Sequence, residues 1–342
     1  MRLGRISFQR WLLMAPKRAK RKRGSVGSLV GLCSDGKLSL IVSTLVEGIA
    51  AGEALTAVSR RSIASDLHDD IQKLIVCNNV ELSPAGQYVW KFLEPNRLLA
   101  HVIESCPELA EAYGRAANER LPTRDRPWNL LYGFDEFVPG DKLNLHESRK
   151  CMVMGYNFEE LGEEILCADY SWMLPVVLLT NTLKTILGGW SRLLAIFLRT
   201  HLLGAHGLET AGVTVMINGA PLTIFAKAHS ITPDYDGIRL GWDWRGASCI
   251  RPCLRCANVF KKGSDIARRL EGCQEITCTD KDKLIARTDD DFENDVDLIT
   301  EAGTAYYAGT IRKAVFEKLE QGAGQNFNPL GFPACKTLRV EK

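Results

Sequence analysis

Between Trp128 and Ile231 the chain orders its apolar runs in a way that few architectures accommodate. WNLLYGFDEF (128–137), KCMVMGYNF (150–158) and WMLPVVLLT (172–180) each read as a buried strand, being short, apolar and rich in β-branched or aromatic residues. TLKTILGGWSRLLAIFLRTHLLG (182–204) has the length and spacing of an amphipathic helix, weakened at Gly188-Gly189. VTVMI (213–217) and APLTIFAKAHSI (220–231) flank Asn218-Gly219, the dipeptide that best supports a tight hairpin turn. This order predicts an α/β class and excludes an all-helical bundle.

Strand, strand, strand, helix, strand is the order of a ribonuclease-H-like core. Residues 126–246 are therefore expected to form a mixed sheet with flanking helices, entered through the loop Leu121-Pro-Thr-Arg-Asp-Arg-Pro127. Residues 35–125 read as a small helical N-terminal region. Leu40, Leu45, Ile49, Leu55 and Val58 keep helical spacing, and SRRSIASDLHDDIQKLI reads as a helix capped by Ser62 or Ser65. A strand-like GQYVWKFLEP and a helix over 96–120 follow. Beyond the core, 247–342 holds a cysteine-bearing insertion, and 257–321 reads as helical and charged, with helices in TDDDFENDVDLITEAG and TIRKAVFEKLEQG.

The net charge of +2 conceals an asymmetry. Residues 1–34 carry nine Lys/Arg before the first carboxylate, Asp35, leaving 34 of the 43 basic residues against all 41 acids beyond it. Lys17, Arg18, Lys20, Arg21, Lys22 and Arg23 crowd into seven positions, where mutual repulsion opposes compact folding. Such an arm suits contact with a DNA backbone or a nuclear address. The acid-free, Arg-rich MRLGRISFQRWLLMA ahead of it leaves an organelle transit peptide as the other reading. The most apolar region has a longest uncharged run of 14 residues, Tyr170–Leu183, too short to cross a bilayer. Eleven cysteines without a secretory signal point to a reducing compartment.

Two acids and four cysteines carry candidate chemistry. Asp135 closes the first core strand, and Asp234 follows the last. Carboxylates at the ends of neighbouring strands suit Mg²⁺, because rigid strands fix the spacing that metal-assisted phosphodiester chemistry needs. An Asp at a strand end also serves as a turn-former or helix cap, and Asp236 and His229 lie close by in sequence. Cys253-x-x-Cys256 followed by Cys273 and Cys278 has a spacing that would close a tetrahedral Zn²⁺ site, with Cys249 as a substitute member. Arg245, Arg251 and Arg255 share that loop with Trp242 and Trp244, which either stack on a nucleic-acid strand or anchor the loop.

RPWNLLYGFDEFVPGDKL (126–143), the ESRK-x-MVMGYNFEEL block (147–161), RGASCIRPCLRCANVF (245–260), ITCTDKDKLIARTDDDF (276–292) and FEKLEQGAGQNFNPLGF (316–332) occur in order. Together they resemble the transposase-like proteins found in many copies in some protist genomes, distant relatives of CACTA/Plavaka-type cut-and-paste transposases. Weaker similarity reaches back to about Val58. The resemblance implies a ribonuclease-H-fold nuclease that cuts and joins DNA with an acidic triad and Mg²⁺. On it, Asp135 matches the first catalytic acid and Asp234 the second, with Asp236 the alternative. Cys253 and Cys256 match the cysteine pair, and Cys278 the downstream cysteine. Family members continue past the position of Gly331, where the last metal ligand is expected. Neither Glu293 nor Asp297 is expected to take its place. The expectation is thus a nucleus-directed, DNA-binding, nuclease-like protein that is catalytically incomplete, with oligomerisation left open. The alternative is a non-enzymatic zinc-containing module that binds nucleic acid or protein.

Overall fold

The computed structural model describes residues 72–137, 150–168, 171–269 and 271–335. The basic arm with Lys17–Arg23 and the helices expected before Gln72 lie outside them. The chain divides into two units. Unit one runs to Leu187 and resumes over Leu198–Asp234; unit two takes Gly188–Phe197 and everything from Tyr235.

The described residues begin helical at 72–74, where helix was expected as far as Ile75, and a strand that the sequence did not announce follows. β1 (Ile75–Glu81) pairs antiparallel with β2 (Gln87–Leu93), and Trp90 and Phe92 of β2 are buried. The helix expected over 96–120 is two helices, α1 (Pro95–Ser105) and α2 (Pro107–Glu119). Pro107 explains the break: its ring disfavours helical geometry in the preceding residue, and Cys106 is extended at φ −125°, ψ 100°.

β3 (Trp128–Phe137), β4 (Cys151–Phe158) and β5 (Met173–Leu179) form an antiparallel meander, with the short α3 (Gly162–Leu166) between β4 and β5. The expected helix 182–204 is instead α4 (Thr180–Leu183), α5 (Gly189–Leu198) and a π-helical turn, Arg199–Leu203. Gly188 (φ 82°) and Gly189 (φ 56°) break it, in a conformation that glycine adopts readily.

Asn218 (φ 52°) and Gly219 (φ 80°) do turn the hairpin of β6 (Val213–Ile217) and β7 (Ala220–Ile224). The second expected run, however, divides at Phe225. Its N–H goes to Pro122 O (3.3 Å) and its carbonyl accepts from Trp128 N (2.8 Å), so the chain leaves β6 there. β8 (Ala226–Ile231) then joins β3 in parallel. The outcome is a mixed four-stranded sheet ordered β5-β4-β3-β8. One residue of β8 is extra: Leu130 pairs with Ala228 and Leu131 with Ser230, leaving His229 as a bulge.

One face of this sheet is aromatic. Trp128, Leu130, Tyr132 and Phe134 alternate inward along β3 and are fully buried. Trp128 packs edge-on against Phe158 (5.6 Å) and beside Tyr113 of α2 (6.0 Å). His201, in the π-turn, receives or gives a hydrogen bond at the Tyr132 hydroxyl (3.0 Å), and burial lowers its imidazole to about 3. The opposite face carries Gly133 against Gly155, then Asp135, Val153 and Val177 in one cross-strand row.

Within unit two, α5 contributes its first residues, followed by α6 (Tyr235–Gly241), α7 (Asp265–Arg269), α8 (Asp289–Tyr307) and α9 (Lys313–Ala323). Thr288 and Asp291 form a capping box at α8, and Gly324 (φ 75°) closes α9. Residues 257–288, expected to be helical, are mostly loops. Loop-to-loop backbone bonds such as Ala257 N to Ile285 O (2.9 Å) and Gln274 N to Asn258 O (2.8 Å) satisfy the main chain there. Among the described residues no helix is long and apolar enough to cross a membrane.

Candidate functional site

Asp135 and Asp234 are brought level by the β3–β8 register. Tyr132 pairs with Ile231, and Thr232 extends the contact by donating its N–H (2.8 Å) and Oγ1 (3.1 Å) to Tyr132 O. The two acids each stand three residues past that pair, Asp135 within β3 and Asp234 in the loop that leaves β8. The Asp135 carboxylate is half-buried and accepts from Glu136 N at 2.6 Å. Burial raises it above the usual carboxylate range. The Glu136 N–H lowers it, Asp234 and Glu136 push it up again, and Lys150 opposes them. A partly desolvated carboxylate in the field of a second one favours either a proton or a cation.

What surrounds Asp135 is apolar on one side and polar on the other. Val153 lies directly opposite on β4, within a cluster of Cys151, Val153 and Val177 bordered by Phe137, Leu174 and Leu179. Glu136 points to the other face, where it pairs with Lys150 and accepts from Thr180 Oγ1 (3.1 Å). His229 stands apart from the acids, with Nε2 at 3.7 Å from Glu159 Oε2. Nearby, Glu160 accepts from Arg120 Nη1 (2.6 Å) and Asn129 N (3.0 Å), which fixes the entry to β3.

The cysteine loops of unit two are gathered by one side chain that the spacing argument missed. Buried Asn258 donates Nδ2 to Gly272 O (3.0 Å) and Lys283 O (2.8 Å), and its Oδ1 accepts from Ile285 N (2.9 Å). This holds the Cys253–Cys256 turn beside the segments that carry Cys273 and Cys278. The Cys256 thiol is pushed up to about 11, first by burial, then by contact with Cys253 and by the charge of Cys253 and Cys278, against Arg255. Thiols that disfavour one another's ionisation suit a metal as a shared counter-charge. Cys249 is turned away, its buried Sγ 2.9 Å from the carbonyls of Gly246 and Arg251. Among the described residues no three His, Cys, Asp or Glu side chains already stand as a closed metal-ligand group.

Two of the loop arginines are committed internally. Arg245 pairs with Glu320 at 2.5 Å, and Arg251 shares Asp295 with the buried Arg287. Trp244 is buried against Tyr235 (5.3 Å), and Trp242 packs on Phe332 (5.7 Å). Here the tryptophans serve as anchors, and Arg255 is the exposed member of the set. No signal in the sequence singles out Asn258, because its partners come from two other segments, at Gly272 and at Lys283 and Ile285.

No protein-family model matches this chain, and no curated protein matches it significantly.

Proposed function

We propose that the chain is a transposon-derived, DNA-binding, nuclease-like protein with a ribonuclease-H-like core. Supporting the fold are the strand order β5-β4-β3-β8, the antiparallel meander and the parallel fourth strand. The observation that carries the function is that Asp135 and Asp234 each follow the Tyr132–Ile231 pair by three residues, with Asp135 in the field of Asp234. Their oxygens are of the hard type that Mg²⁺ takes, and the Glu136 N–H holds one of them in place. Mg²⁺ bound there supplies Lewis-acid polarisation of a phosphodiester. Two carboxylates hold such an ion weakly, so cutting is slow and strand joining slower still. DNA is engaged through the basic arm, Lys17–Arg23, which also serves as a nuclear address.

Incubation with labelled DNA in Mg²⁺ or Mn²⁺ tests this reading. Metal-dependent nicking is expected, lost on Asp135→Ala and on Asp234→Ala. Nicking that survives both substitutions, or none with either metal, removes the nuclease.

A second reading, a non-enzymatic zinc-containing binding module, is favoured by the Asn258 clamp. Cys253, Cys256, Cys273 and Cys278 would hold the ion, which would supply cross-linking of three loops. One zinc per purified chain, lost on Cys253→Ser, together with salt-sensitive DNA binding without cleavage, is its expected signature. Zinc-free protein with unchanged stability in the variant excludes it.

A further inference from the structure

Unit two contains a buried acid that neither reading employs. Asp243, at a positive φ of 52°, follows α6 and meets residues 325–335 at several points. Its carbonyl accepts from Asn326 N (2.7 Å), and its Oδ1 accepts from Asn328 Nδ2 (3.0 Å). Asn328 Nδ2 also lies 3.0 Å from Gly188 O, while Ser191 Oγ at the start of α5 accepts from Phe332 N (2.8 Å). The backbone at Gly331 is pressed so closely on this group that a Cβ there would sit 2.2 Å from Asp243 Oδ2.

The other half of the carboxylate is unmatched. Asp243 Oδ2 and Gln325 Nε2 are both buried without a regular hydrogen bond. Both residues line a cavity of about 10 Å³, room for one water that accepts from the amide and donates to the carboxylate. α8 contributes Val296, Ile299 and Thr300 to the walls, and the tail contributes Asn326, Asn328, Pro333 and Ala334. None of these titrates, nor does Ser191, so no cation lines the cavity beside Asp243. Arg192 and Asp297, next in sequence to Ser191 and Val296, are not part of the lining.

We propose that Asp243 is a proton-operated fastening for residues 325–335: the neutral carboxyl keeps the tail docked, and the ionised one loosens it. Burial raises this carboxyl to about 7, even though Ser191 and Asn328 both favour the ionised form. A raised carboxylate value means that the opened state ionises first. Docking is therefore complete below about pH 4, declines as pH rises toward 7, and is flat beyond.

Hydrogen exchange at the Asn326 and Phe332 amides reads this directly, once corrected for intrinsic exchange. Protection is expected to fall at least about tenfold from pH 5 to pH 7.5 in the native chain and to stay level in Asp243→Asn. A level native profile, or an equal fall in the variant, overturns the proposal. Should Asp243→Asn fail to fold, the carboxyl-carbon titration of Asp243 in the native chain decides. A midpoint near 7 supports the fastening, and a midpoint near 4 removes it.

Discussion

Asn258→Ala is expected to release the cysteine loops of unit two and to lower its stability by about 3 kcal/mol. The substitution removes two donated bonds and one accepted bond, and it strands Gly272 O, Lys283 O and Ile285 N in partly buried positions. Each stranded group costs about 1 kcal/mol when water reaches it and up to about 3 when it does not. The check is differential alkylation with mass spectrometry. Cys253, Cys256 and Cys278 should react faster than in the native chain, while buried Cys151 of unit one should not change. Equal rates at all of them would mean that the loops hold together without the amide.

Trp128→Ala is expected to cost unit one about 4 kcal/mol. The indole is fully buried, packs on Phe158 and Tyr113, and donates Nε1 to Arg120 O at 2.7 Å. Alanine would leave a large cavity and an unmatched carbonyl at the foot of β3, the strand that carries Asp135. Urea unfolding followed by circular dichroism measures the loss. A shift below about 1 kcal/mol would show that the aromatic face is less tightly packed than the ring distances imply.

How much of this was legible beforehand depended on the range of the interactions. β3 was readable to the residue, because Trp128, Leu130, Leu131, Tyr132, Phe134 and Phe137 outweigh the polar residues between them. The Asn218-Gly219 turn was equally plain, since its positive φ values are intrinsic to those residue types. By contrast, β1 includes Asn78 and Asn79, poor strand formers, and exists because β2 offers a pairing edge. The division at Phe225 follows from bonds to Pro122 and Trp128, about a hundred residues away. As for the site, both acids were visible as strand-end carboxylates, but their juxtaposition arises from a parallel register with no local signature. Nothing in the sequence marks Asp243, for the same reason: the groups that enclose its carboxylate come from distant segments.

The bulge at His229 has a consequence for how such a chain diversifies. Were β8 regular beyond Ala228, Pro233 would stand beside Asp135, and Asp234 would arrive one position late. Removing the bulge residue would leave the later pairs where they are, whereas one residue added there would carry Asp234 past Asp135 while preserving both carboxylates and the surrounding core. Chains that keep both acids would then differ in whether the two side chains meet, through strand length alone.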